Sequence, residues 1–329
     1  MLRTAISRDT AEPLVQRITR EQTSFVFDRE VEPVVTVRQG ERVVVETADS
    51  LCGIVKAQAP RGWRIDEVIE SLGGACPVSG PIAVEGARPG DTLAVTFHRV
   101  DADPAQGEAW TGVIAGFGAL SHEAYGLQES LVSTTTLVPY ADGTARFPAR
   151  RRSIAIPLTP FLGTVGVAPR VERRMSFSQS IEYGGDMDLP QVRAGSTLVL
   201  PVHAPGALLS LGDAHGAQGD GEITGAAIEI EAEVELSCEV LHPEAAGFVE
   251  LPQINTPDWI GSVACLQGTD VTNCARAAYR DLVLRLVRFH GFTQSEAYQL
   301  LGQVGRLQVG NMIDPFYSVL AMIDRSFLE

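Results

Sequence analysis

I-E-I-E-A-E-V-E-L, residues 228–236, alternates apolar and acidic side chains over nine positions. A period of two marks a strand with one buried and one solvated face, and it puts Glu229, Glu231, Glu233 and Glu235 together on the polar face. Carboxylates on such a face ordinarily stay in water. Glu229 is the exception to watch, because it stands nearest to a ligand-rich segment just upstream.

That segment, Gly212 to Glu222, reads G-D-A-H-G-A-Q-G-D-G-E and holds four potential metal ligands, Asp213, His215, Asp220 and Glu222. In an extended chain the i,i+2 spacing predicts two converging pairs, Asp213 with His215 and Asp220 with Glu222. Glycines at 216, 219 and 221 let the backbone between them bend. One imidazole among several carboxylates suits Zn, Mn or a similar divalent ion. The structural alternative is a polar turn between two apolar strands, but a hairpin loop needs only about 2–5 residues.

Working outward, V-R-Q-G-E-R-V-V-V-E (37–46), A-R-P-G-D-T-L-A-V-T-F (87–97) and V-R-A-G-S-T-L-V-L-P-V (192–202) repeat one device, a turn ending in Gly followed by an alternating strand. Helical periodicity comes late. Ala275, Ala278, Tyr279, Leu282, Leu286 and Phe289 recur at steps of three and four between Thr272 and His290, with Arg276, Arg280, Arg285 and Arg288 between them and Gly291 as a stop. A second helix is predicted from Thr293, with Glu296 completing a capping box, through A-Y-Q-L-L-G-Q-V. The expected fold is therefore a β-rich α+β architecture, two β-subdomains with a C-terminal helical pair. Residues 1–190 form an N-terminal β-rich region, and 191–329 carry the metal-ligand segment and the helices, the two packing as one unit.

The chain has 329 residues, 45% hydrophobic and 20% charged, which is globular composition. Its formal charge of -15 argues against nucleic acid or an anionic membrane surface as partner. The five cysteines, at 52, 76, 238, 265 and 274, form no C-x-x-C pair, so reduced thiols are expected rather than disulfides or a thiolate zinc site. The first residues lack the apolar core of a signal peptide, and the longest uncharged run, Ala194 to Leu211, is broken by Pro201, His203 and Pro205. A cytoplasmic protein without a membrane span is the expectation. Trp63, Trp110 and Trp259 read as core or interface anchors. His98, His203, His122, His242 and His290 read as structural, His203 being the one whose strand leads into the ligand segment.

Taken together, these stretches resemble the acetamidase/formamidase family of metal-dependent amide hydrolases over most of the chain. The resemblance is carried by E-T-A-D-S (46–50), C-P-V-S-G-P-I-A-V-E-G-A-R-P-G-D-T-L (76–93), G-T-V-G-V-A-P (163–169), Y-G-G-D-M-D (183–188), the segment 206–229 around G-D-A-H-G-A-Q-G-D-G-E, and 296–315. It implies hydrolysis of short linear amides such as formamide or acetamide to a carboxylate and ammonia, at a divalent metal, Zn first and Ca or Mn as alternatives, in a homo-oligomer. The implied site combines Asp49, the Gly185 to Asp188 turn, Asp213, His215, Asp220 and Glu222. The third motif departs from the family's usual H-G-G-N-M-D, since Tyr183 and Asp186 stand in the His and Asn places. That leaves open a remodelled site or a different substrate, a carbamate or ureide, and beside both a non-catalytic, metal-stabilised binding protein.

On i,i+2 pairing and this resemblance, Asp213, His215 and Asp220 are expected as metal ligands and Asp49 as a further ligand or an orienting group. Glu222 is expected as general base and acid. Asp186 and Asp188 are either ligands of a second metal or turn residues. A side-chain nucleophile has weak support: Ser79 and Cys52 stand in Gly-flanked settings, read here as a turn serine and a small buried hydrophobe.

Overall fold

A computed structural model describes residues 15–58, 65–103, 105–120, 133–246, 249–313 and 315–328. Trp63, His122 and the amino-terminal stretch read for a signal peptide lie outside them. The architecture is α+β and strand-dominated, built on two large sheets. One runs, strand beside strand, Gln16–Ile18, Arg42–Thr47, Ala232–Leu241, Thr92–Ala102, Thr197–Pro201, Gln253–Asn255, Trp259–Gln267, Phe316–Asp324 and Arg306–Ile313. The other centres on Leu209–His215, which pairs with Phe161–Gly166, with Val78–Val84 and with Glu229–Ile230. Each sheet draws strands from both sides of residue 190, so both halves of the chain build each layer.

The alternating segment 228–236 joins the layers. Glu229–Ile230 belongs to the second sheet and Ala232–Leu241 to the first, with the chain crossing at Glu231. Its apolar residues Ile228, Ile230, Ala232, Val234 and Leu236 enter the shared core with Val43, Val45, Ile82 and Leu211. Its carboxylates do not simply face water. Glu231 pairs with Lys56 and Arg20, Glu233 with Arg17 and Arg99, and Glu235 with Arg42 and Arg99. Arg17, Arg20, Arg42 and Arg99 with Lys56, from neighbouring strands, a turn and a helix, neutralise the acidic face as a network rather than as isolated surface pairs.

The threefold repeat is one β-turn used three times in the first sheet. Arg38, Arg88 and Arg193 each accept at their carbonyl from the residue three on, Glu41, Asp91 and Ser196. Those same residues accept back, at the side chain, from the arginine N–H. The intervening Gly40, Gly90 and Gly195 sit at φ of 74°, 97° and 86°, a conformation that excludes most other residues from this turn position.

Helix Val271–His290 ends at Gly291 in the left-handed conformation, and helix Gln294–Val304 starts at Thr293 with the full capping box. Both pack on the outer strands of the first sheet through Ala278, Leu282, Leu286, Ala297 and Leu301. Two helical expectations are corrected. Phe289 is half exposed under Arg288, and Arg285, read as a solvent-facing charge, is buried. Arg285 donates to the Gly261 carbonyl, Ser262 Oγ and Asn255 Oδ1, so two neighbouring strands of the sheet supply the acceptors that its burial demands.

Candidate functional site

A cavity of about 300 Å³ opens beside the central strand of the second sheet. Its polar floor is made of Asp186, Asp188, Asp213, His215, Glu222, Glu229 and Asn311, brought from four separate stretches of chain. Asp213 and His215 come from the Leu209–His215 strand; Glu229, directly across the ladder from His215, comes from the crossing segment. Asp186 and Asp188 arrive on the Gly-Gly turn, which pairs with Phe161–Gly166.

Distances tie the groups into one constellation. His215 Nε2 lies 3.4 Å from Asp213 Oδ2 and 3.6 Å from Glu229 Oε2. Three overlapping sets have ligand atoms within 4.8 Å of one another: Cys76, Asp186 and Asp213; Asp188, Asp213 and His215; and His215, Glu222 and Glu229. Asn311 Nδ2 donates to Asp188 Oδ2, Ser50 Oγ donates to Glu229 Oε2, and Thr164 Oγ1 donates to Asp186. Asp188 Oδ1 and Asp213 Oδ1 are buried without a hydrogen-bond partner among the described residues.

Gln218 sets the histidine's orientation. Its Nε2 donates to the carbonyls of Asp188 and Gly310, at 2.8 and 3.0 Å, so both amide hydrogens are used. Its Oε1, 2.8 Å from His215 Nδ1, must then accept, which places the hydrogen on Nδ1 and turns Nε2 toward the carboxylates. Phe161 closes one edge of the ring at 5.1 Å.

So many carboxyls in one buried site repel one another. Burial, with the charges of Asp188 and Asp213, pushes Asp186 well above the usual carboxyl range; burial and the Asp188 charge do the same to Glu222. Burial raises Asp188 to about 6 and Glu229 to about 7, with the His215 charge opposing in both cases. For Asp213 burial is again the largest influence, but the attraction and hydrogen bond of His215 outweigh it and hold this carboxyl below its usual value. His215, disfavoured as a cation by burial, is lifted well above its ordinary range by Glu229 and Asp213. The site thus calls for positive charge at Nε2, a proton or a cation. A mixed oxygen and imidazole donor set with two orphaned carboxylate oxygens fits a divalent ion, and Asp188, Asp213 and His215 are the residues that would hold it, with Glu229 and Glu222 adjoining.

Backbone strain gathers at the same place. Cys76, Asp188, Asp213 and Glu222 all adopt positive φ, 53°, 49°, 54° and 45°, each costing on the order of 1–3 kcal/mol. The i,i+2 argument accordingly fails for one pair. Residues 219–222 form a turn closed by Glu222 N–H to the Gly219 carbonyl, not extended chain. Glu222 faces the cavity, while Asp220 is exposed and accepts from Gln308 Nε2 at 2.5 Å. Asp213 and His215 converge, though Asp213 lies in a left-handed kink rather than on a flat pleat.

Asp49 is not among the cavity residues. It is fully buried, Oδ1 accepts from the N–H groups of Leu51 and Gly53, and Oδ2 lies 3.2 Å from Lys56 Nζ. It braces the turn that delivers Ser50 to Glu229. Tyr183, in the place of the family's histidine, points into the core, its ring 5.6 Å from Phe27 and its hydroxyl 2.8 Å from Ser178 Oγ. The position is a packing site here, whereas Asp186 does face the cavity. Ser79 is a strand serine donating to the Glu46 carbonyl, and Cys52 is exposed in a turn rather than buried. Trp110 is buried as expected but also forms cavity wall. His203 is not among the cavity residues. Gln218, Cys76 and Asn311 were missed as site residues although each stands inside a recognisable motif. Nothing in the linear pattern says that residues 76, 218 and 311 meet.

The chain and its fold match known proteins. The model of the Acetamidase/Formamidase family matches residues 15–182 and 178–318. A Schizosaccharomyces pombe protein named Putative formamidase C869.04 is 33% identical over 137 residues, 36% of this chain and 33% of that protein, so the chain spans a third of that relative's length. The acetamidase of Mycolicibacterium smegmatis is 27% identical over 293 residues, 68% of this chain and 72% of that one. The crystal structure of acetamidase from Yersinia enterocolitica superposes with a TM-score of 0.85 at 28% identity, covering 97% of this chain and 94% of that chain. The chain belongs to the acetamidase/formamidase family.

Proposed function

We propose that this protein is a metal-dependent amidohydrolase that adds water across the C–N bond of a linear amide, giving a carboxylate and ammonia. The observation that carries the reading is the convergence of Asp188, Asp213, His215, Glu222 and Glu229 on one wall of a cavity that keeps room for substrate. A closed structural metal site would leave no such space, which favours the catalytic reading over a metal-stabilised binding protein.

A divalent ion held by Asp188, Asp213 and His215 supplies Lewis-acid activation of water and of the amide carbonyl when bound. The chain's own residues do the rest. Asn311 and Gln218 fix Asp188 and His215 in place. Glu229, oriented by the Ser50 hydroxyl and the Ala227 N–H, adds the negative charge that favours a cation beside His215. Glu222 borders both the cavity and an outer groove lined by Thr111, Phe147 and Ile156. Glu222 would take one proton from the attacking water and deliver it to the departing nitrogen, while the proton of the carboxylic acid so formed leaves to solvent, giving the carboxylate. The apolar remainder of the lining places the reacting amide in less polar surroundings than water. Asp186 adds a carboxyl where the family has an amide, and it is the feature that keeps a carbamate or ureide as the second reading. The homo-oligomer implied by the resemblance and the cytoplasmic location expected from the cysteines and the amino-terminal sequence go with this proposal, to be tested by light scattering and cell fractionation.

The direct test is ammonia release from acetamide, formamide, simple carbamates and ureides by protein of known metal content, before and after chelation and after add-back. Turnover that disappears with the metal and returns with it supports the proposal. Metal-free protein that turns over at the full rate overturns metal dependence, and bound metal with no turnover of any C–N substrate overturns the hydrolase.

A further inference from the structure

The polar floor accounts for part of the cavity lining; the rest has a different chemistry. Ile69, Trp110, Ile114, Phe117, Phe177 and Phe316 line it, and no lysine or arginine does among the described residues. These side chains come from the helix Ile65–Leu72, the strand Glu108–Val113 and the turn after it, the segment before Gln179–Ser180, and the start of the strand Phe316–Asp324. Separate elements thus contribute apolar side chains to the lining of one space of about 300 Å³.

Resting on the amide-hydrolase reading, we propose that the substrate of this site is a primary amide with an uncharged, apolar acyl group of about the size of a benzyl group, rather than formamide or acetamide. The volume decides it. An apolar cavity of about 150 Å³ accommodates benzene, so a cavity of about 300 Å³ leaves room for a phenyl-sized group beside a four-atom amide. With acetamide alone the unfilled space would hold water against aromatic rings, an arrangement that displacing those waters with apolar atoms improves. A phenyl ring on the α-carbon of the amide fills that space while the amide group stays over the floor.

Charge restricts the acyl group in the same direction. An acyl group bearing a carboxylate would enter a cavity already holding Asp186, Asp188, Asp213, Glu222 and Glu229, with no cationic side chain on the wall among the described residues to receive it. An ammonium-bearing group would have to sit against the apolar wall or compete with the ion for the floor. An uncharged aromatic or branched aliphatic group meets neither penalty, and pockets of this kind, apolar with a few convergent polar groups, are the common form of a small-molecule site.

The test uses the full chain, metal-loaded, and compares kcat/KM for ammonia release from acetamide, isobutyramide and phenylacetamide. Calorimetry of phenylacetamide binding provides a second readout that does not depend on turnover. Phenylacetamide is expected to exceed acetamide on the order of ten- to a hundredfold, mainly through KM, the amount that burying one phenyl-sized group supplies. Ala75→Phe, or Ile69→Trp if that variant does not fold, fills the apolar half and should lower the phenylacetamide to acetamide ratio at least tenfold. Acetamide turned over as well as or better than phenylacetamide overturns this proposal and leaves the amide-hydrolase reading standing. Phenylacetamide that binds, loses binding in Ala75→Phe and is not hydrolysed supports the apolar pocket and overturns the hydrolase reading. With neither binding nor hydrolysis, both fall.

Discussion

Replacing Gly163 by alanine is expected to damage the site while sparing the fold. Gly163 lies in the Phe161–Gly166 strand directly behind the carboxylates, and its carbonyl accepts from the N–H groups of Met187 and Asp188. A Cβ built there would stand 2.6 Å from Asp188 Oδ1 and 2.7 Å from Asp213 Oδ2. That is about 0.8 Å short of the roughly 3.4 Å at which such contacts become ordinary. The backbone at Gly163 is not in the left-handed region, so only volume changes. Both carboxylates must move by most of an ångström, and a 1 Å misplacement of a reacting constellation costs on the order of 100-fold in rate. Overpacking should cost stability about 1–3 kcal/mol, partly offset by about 0.4–1 kcal/mol from the stiffer unfolded chain. The assay pairs steady-state amide hydrolysis with metal affinity by chelator competition and thermal unfolding. Gly166→Ala, three residues along the same strand, is the control: its Cβ would meet Phe27 and the Tyr183 carbonyl at 2.9 Å, so it should lower Tm without a comparable loss of kcat. Gly163→Ala protein with unaltered kcat and metal affinity would refute the placement of Asp188 and Asp213 in the reacting constellation.

Glu222→Gln is expected to lower kcat by about 10²–10⁴-fold with metal content unchanged, checked by single-turnover kinetics and metal analysis; full turnover would remove Glu222 from proton transfer. Gln218→Leu leaves His215 Nδ1 without its acceptor and should weaken metal binding about 10- to 100-fold, measured by chelator titration, with a changed imidazole ¹⁵N signature. Arg285→Met strips the hydrogen-bond donor from Gly261, Ser262 and Asn255 and leaves the buried Asp281 without its nearby cation, so unfolding in urea should show a loss of about 3–5 kcal/mol. The Asp103 carboxyl is opposed by burial, yet Arg20 holds it below its ordinary value. Its contribution is therefore fully present above the unfolded pKa of about 3.9 and lost as pH falls through the lower folded value. The stability gap between wild type and Asp103→Asn should be widest near neutral pH and close in acid, and a gap that persists in acid would contradict the assignment.

The helical pair was legible almost to the residue. Its signals, Gly291 after a 3.6-residue periodicity and Thr293 with Glu296, act within one or two turns of chain, and so survive any tertiary arrangement. The three Arg-x-Gly turns were legible for the same reason. Arg285 was not, because a charged residue between apolar ones reads as solvent-facing unless one knows that Gly261, Ser262 and Asn255 wait beside it with acceptors. Within the site, Asp213, His215 and Glu222 were recognisable as a dense ligand segment, while Asp220 was drawn in by a spacing rule that holds only for extended chain. Tyr183 looked like a change to the metal site and proved to be a core side chain packed on Phe27.

By itself the sequence determined the helix boundaries, the repeated turns, the family and the presence of a segment rich in carboxylates with one imidazole, because each rests on neighbours in the chain or on motifs preserved as written. Tertiary structure alone decided which carboxylates meet. It placed Glu229 opposite His215 by strand register, joined Gln218 to Asp188 and Gly310, and brought aromatic side chains to the same cavity. The meeting of His215 and Glu229 depends on pairing between strands, and a shift of one residue in that pairing would turn the opposite face toward the cavity.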